Sequence, residues 1–130
     1  TGTTPAPVRL PANQRVYVTA FTNADYLQRV TLTVTNGAPM QWQGKGEGNQ
    51  EMANTSFITP ADPSGWVNAT VYFEFAPDGT NFQPSQFSPV GEFSMYGYNQ
   101  RTVVSEDADD DDYNDTAVIL SWWVAPSAAR

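Results

Sequence analysis

The sequence predicts an all-β protein, an antiparallel β-sandwich. Three observations carry that prediction. Apolar residues recur at every second position rather than every 3.6. No stretch carries a convincing amphipathic-helix pattern. Ten prolines and nine glycines are scattered between short segments rich in β-branched and aromatic residues, as in sandwiches and barrels.

The elements follow in order. Thr1 to Pro7 reads as a linker-like end, residues 8–125 as one domain, and 126–130 as a second linker-like end. Val16 to Phe21 is the first rich segment. Arg29 to Thr35 puts Val30, Leu32 and Val34 on one face and Thr31, Thr33 and Thr35 on the other, before the turn signal Asn36-Gly37. Gly44 to Asn54 is polar and glycine-containing, and reads as a loop. After Pro63-Ser64-Gly65, Trp66 to Phe75 aligns Val67, Ala69, Val71, Phe73 and Phe75, and Pro77-Asp78-Gly79 ends the run. Glu92 to Tyr98, Arg101 to Val104 and Thr116 to Val124 complete the strands. Core packing is expected for Trp42, Trp66 and Trp122. Strand neighbours point to opposite faces, so Trp123 then faces outward or into an interface.

Composition excludes much. At 130 residues the chain is one domain able to bury a core. It has no cysteine and no histidine, which removes disulfides, the usual zinc ligands, a Ser-His-Asp triad and the commonest general base. A net charge of −8 argues against nucleic acid and anionic membrane surfaces as partners. No apolar run approaches the roughly 18 residues of a membrane span, and no signal-peptide pattern opens the chain. The compartment is left open, with a secreted or cell-surface location ahead of a purely cytoplasmic one.

The charge is concentrated. Glu106 to Asp115 holds seven of the fourteen acids, and the remainder, with seven acids against six bases, is nearly neutral. Two like charges about 4 Å apart cost about 4 kcal/mol at an effective dielectric near 20. Such a segment is either solvated and loose or neutralised by a cation. Its flanks, Val103-Val104 and Thr116 to Leu120, are strand-like, so both ends of the loop are anchored in sheet. Hard divalent cations take oxygen donors, and calcium accepts six to eight of them. Magnesium fits less well, because it keeps its waters. An EF-hand is rejected. Asp110-x-Asp112-x-Asn114 matches its first ligand positions, but the required glycine would fall on Asp115 and the bidentate glutamate on Ser121.

Ser105 to Asp115, followed by a strand and Trp122, resembles the calcium-binding loop of the LecB family of soluble bacterial lectins. Leu10 to Asn23 resembles that family's first strand. Together the matches cover roughly a quarter of the chain. The resemblance implies a β-sandwich holding two calcium ions, to which neighbouring hydroxyls of one monosaccharide, mannose or fucose, bind directly. It places metal ligands at Asn23, Glu106, Asp110, Asp112, Asn114 and Asp115. Asp107 helps hold the sugar, together with Asn23, Asp110, Asp112, Asn114 and Asp115. Asp109 and Asp111 are extra and read as solvent-facing. Sugar choice falls to the loop after Asn23, here Ala24-Asp25-Tyr26. Its small first residue resembles mannose-preferring members, and Tyr26 either packs on a sugar face or stands as an exposed loop aromatic.

In that family the chain ends shortly after the last tryptophan, and its terminal carboxylate reaches a neighbouring subunit's calcium site. This chain runs on past Trp122 to Arg130. A homo-oligomer is possible, but the family dimer contact is in doubt. The function expected is a calcium-dependent lectin and not an enzyme. A glycosidase needs an acid–base carboxylate pair flanking the scissile bond, and carboxylates bound to calcium transfer protons poorly. The alternative is a calcium-stapled structural β-sandwich module of a larger surface or adhesin protein, without sugar binding.

Overall fold

Alternation builds the molecule. In the computed structural model, which describes residues 5–107 and 113–124, nine antiparallel strands form one continuous sheet: β1 Ala6–Pro11, β2 Arg15–Val34, β3 Met40–Ile58, β4 Trp66–Ala76, β5 Gln83–Pro84, β6 Gln86–Phe87, β7 Gly91–Met95, β8 Tyr98–Glu106 and β9 Thr116–Trp123. No helix occurs among the described residues.

The long strand β2 organises the sheet. Along one edge it pairs with β3. Along the other it pairs first with β9 (Tyr17↔Ser121 to Thr22↔Thr116) and then with β4 (Leu27↔Ala76 to Val34↔Ala69). One arm of the sheet is therefore β2–β9–β8, with β6 and β7 beyond. The other is β2–β4, with β1 and β5 beyond. The inward residues of both arms meet in a single core: Val16, Val18, Leu120 and Trp122 from one, Leu10, Leu32, Val71 and Phe73 from the other. The sheet has curled on itself, as a sandwich or barrel must to bury one face. The alternations read from sequence hold, since Val30, Leu32, Val34, Val67, Ala69, Val71 and Phe73 are all buried.

Several expectations need correction. Gly44 to Asn54 is not a free loop but the middle of β3. It pairs with β2 through irregular registers (Phe21↔Glu51, Thr22↔Gln50, then Ala24↔Gly46). The bulge takes left-handed backbone at Gly46, Gly48 and Asn49, with φ of 113°, 84° and 54°, which two glycines adopt without Cβ strain. Glu92 to Tyr98 is not one strand, because a turn at Tyr96-Gly97 divides β7 from β8. Ala6 and Pro7, read as linker-like, sit in β1 opposite Val71 and Thr70. Trp122 is buried and Trp42 packs half-buried against the core, but Trp66 is 37% exposed. Opposite Pro11 on the outer face, it lies under the Arg9 guanidinium, 5.2 Å from the ring centre. Trp123 faces outward against Tyr98, with 4.9 Å between ring centres.

A cluster of buried carboxylates between β2, β8 and β9

β8 and β9 run out of the core side by side and deliver the two ends of the acidic segment to one point. Glu106 is 1% exposed and Asp115 6%. Carboxylate oxygens of Glu106, Asp107 and Asp115 lie within 4.8 Å of one another. The backbone holds them there. The Asp107 N–H donates to Asp115 Oδ2 at 2.6 Å, the Tyr113 N–H to Glu106 Oε1 at 3.1 Å, and the Asp115 N–H to the Ser105 carbonyl at 3.2 Å.

β2 closes the cluster from the side. The Asn23 N–H donates to the Asp115 carbonyl at 3.0 Å, and the Thr22 hydroxyl donates to the same oxygen. The Asn23 side chain turns to β3. Its Oδ1 accepts the Gly48 and Asn49 N–H groups at 3.0 and 2.7 Å, and its Nδ2 donates to Asn49 Oδ1 at 2.6 Å. With that oxygen taken twice, Asn23 serves the cluster through its backbone.

Gln28, absent from the candidates read from sequence, is the polar bridge of the site. It is 1% exposed. Its Nε2 donates to Asp107 Oδ2 at 2.7 Å and to the Tyr26 carbonyl at 3.1 Å, and its Oε1 accepts the Thr116 hydroxyl at 3.1 Å. A signal was available. Gln28 lies two residues before Val30 on the inward face of β2, where a polar side chain requires partners.

The electrostatics match the crowding. Asp115 is raised from 3.8 to about 7, above all by burial. Its bond from the Asp107 N–H pulls the other way, and the Asp107 carboxylate adds to the rise. Negative charge brought together at a buried point in this way is costly unless a cation or proton neutralises it. The donor set is oxygen only, which suits a hard divalent cation such as calcium.

The remaining candidates divide. Asn114 is exposed and lies between Tyr113 and Asp115. Asp109, Asp110, Asp111 and Asp112 lie outside the described residues. Ala24-Asp25-Tyr26 is not a loop but an irregular part of β2, between two register shifts against β3. Ala24 is buried and Asp25 exposed. The exposed Tyr26 ring stacks on Phe75, 6.0 Å between centres at 20°, while the Tyr26 carbonyl shares the Gln28 amide with Asp107.

The comparisons with known proteins agree with this geometry. The model of the family described as fucose-binding lectin II (PA-IIL) matches residues 8–124. The Chromobacterium violaceum lectin CV2L, solved with α-methyl fucoside, superposes with a TM-score of 0.76 at 27% identity, covering 92% of this chain and 97% of that one. A Ralstonia solanacearum high-affinity mannose-binding lectin gives 0.74 at 26%, with coverage of 92% and 97%. The C-terminal domain of the BC2L-C lectin of Burkholderia cenocepacia shares the fold, at 0.75, 21% identity and coverage of 93% and 97%. No curated protein sequence matches.

Proposed function

Because the chain belongs to the fucose-binding lectin II (PA-IIL) family, we propose that it is a calcium-dependent lectin for a monosaccharide of the mannose or fucose type. The observation that carries this reading is the convergence of Glu106, Asp107 and Asp115 from the two ends of one acidic segment. The residues fit calcium: all donors are oxygen, and two of the three carboxylates are buried. Glu106 and Asp115 would hold two calcium ions together with Asp110, Asp112 and Asn114 of the same segment. When bound, those ions offer coordination positions to vicinal sugar hydroxyls.

The chain itself supplies pre-organisation. Tyr113 and Asp107 fix the carboxylates of Glu106 and Asp115 through backbone N–H groups. Gln28 orients Asp107 toward a ligand, and Thr22 and Asn23 clamp the Asp115 backbone to β2. Groups fixed before binding leave little ordering cost, which favours a small ligand. None of this requires proton transfer, so the role proposed is binding rather than catalysis. It places the protein where glycans are displayed, secreted or at a cell surface.

A glycan array probed with calcium and then with chelator tests the reading. Mannose- or fucose-terminated glycans should bind in calcium, be lost in chelator, and return with excess calcium. Binding that persists in chelator would refute it. If calcium raises the melting temperature but no glycan binds, the cluster is a structural staple.

A further inference from the structure

We infer that the cleft between Arg9 and Trp66 is a second, cation-independent site for a neutral sugar ring. It lies at the far end of the molecule. β4 starts at the cleft with Trp66 and ends at Ala76, which pairs with Leu27 beside Gln28. Its eleven residues, at about 3.3 Å each, separate the cleft from the carboxylate cluster by about 30 Å.

The cleft has a volume of about 170 Å³ and is bordered by Arg9, Asn36, Asp62, Ser64, Trp66 and Asn68. At about 30 Å³ per water, that is the space of five or six waters, comparable to one pyranose and too small for an extended chain. Trp66 brings partly exposed aromatic surface, against which the C–H face of a sugar can pack. Arg9 makes no ion pair or hydrogen bond among the described residues, so its guanidinium donors remain available. Asp62 supplies the opposite charge, and its bonds from Ser64 keep its carboxyl below the usual range and therefore ionised at neutral pH.

The pairing of signs decides the ligand class. A carboxylate or phosphate would gain from Arg9 but meet Asp62. A hydroxyl-rich neutral ring can accept from one and donate to the other, with the Asn36 and Asn68 amides beside them.

The frame is rigid. The Ser64 N–H and hydroxyl donate to Asp62 Oδ1 at 2.9 and 2.7 Å, and the Gly65 N–H donates to the Asp62 carbonyl at 3.0 Å. The Ala12 N–H ties the turn to the end of β1 through the Gly65 carbonyl at 3.0 Å. The Thr35 hydroxyl donates to the Asn68 carbonyl at 2.8 Å. A pre-set cleft of this kind lowers the cost of binding a small ligand.

The test follows the Trp66 indole N–H by NMR in the calcium-loaded chain. The probes are methyl α-mannoside, methyl β-galactoside, methyl β-glucoside and glucuronate. At least one neutral glycoside should shift this signal saturably, and the shift should persist in chelator. Trp66→Ala should abolish saturation at the neighbouring Asn68 amide signal. Arg9→Gln should weaken half-saturation about tenfold. Both variants should keep their calcium-dependent response near Glu106, which also reports that they are folded. No saturable shift with any glycoside, or a response from glucuronate alone, would overturn the assignment. So would an unchanged Asn68 response in Trp66→Ala. Failure of the calcium-dependent reading appears instead at signals around Glu106 and leaves Trp66 untouched.

Discussion

β2 presents two kinds of inward surface on one strand. At Val30, Leu32 and Val34 the buried positions are apolar and face the common core. At Thr22 and Gln28 they are equally buried but polar, and they bond to the ends of the acidic segment. Backbone pairing with β3 runs past both. What differs is what burial is used for. In the core stretch it removes hydrocarbon from water. In the polar stretch it fixes donors and acceptors around carboxylates whose charge needs a cation. The first stretch should therefore set stability and the second ligand response, and the two should separate under mutation.

The largest separation is expected from Asp115→Asn. The amide keeps an acceptor for the Asp107 N–H but removes a charge, so calcium-dependent sugar binding should weaken about 100-fold or more, while the calcium-free protein melts no lower than the parent. Calorimetric titration and thermal melting measure both, and undiminished sugar affinity would remove Asp115 from the ligand set. Leu32→Ala should do the reverse. It should lower unfolding free energy by about 2–5 kcal/mol in urea titrations, with sugar affinity per folded molecule unchanged.

Gln28→Ala is intermediate. It leaves Asp107, Thr116 and the Tyr26 carbonyl without their shared partner, at about 1–3 kcal/mol, and should also weaken the calcium response. If it costs stability alone, the bridge belongs to the core and the contrast along β2 fails. The smallest effect is a pH slope in chelated protein. The folded Asp115 carboxyl keeps its proton up to about 7, while the unfolded one loses it above 3.8. Between those values the folded state binds more protons, so stability should fall as pH rises and level off above about 7. Asp115→Asn should remove that slope in melting curves recorded across the window.

How far the sequence reached follows from the same contrast. Val30 to Val34 and Val67 to Phe73 were legible because one face is apolar and the other polar, so the period of two shows. β3 was not. From Gly44 to Gln50 its residues are polar or glycine and none is buried, so no face is marked, and its pairing to β2 is a backbone property that side-chain pattern does not report. Trp66 misled because tryptophan usually signals core, whereas its position opposite Pro11 turns it outward. At the site, Glu106, Asp107 and Asp115 announced themselves by charge density. Gln28 carries no charge, and its meaning depends on Asp107 and Thr116 lying across from it, 79 and 88 residues along the chain.

The pairing of Thr22 with Thr116 also has a kinetic consequence. Strand β9 joins β2 only after the chain has closed a very long loop, and little in the fold is local apart from hairpins such as β2–β3 and β7–β8. Topologies of this kind refold in milliseconds to seconds rather than microseconds. The step that docks β9 is also the one that gathers Asp115 against Glu106. Assembly of the last strand and crowding of the anions thus coincide, and a divalent ion present during refolding should speed that late event selectively.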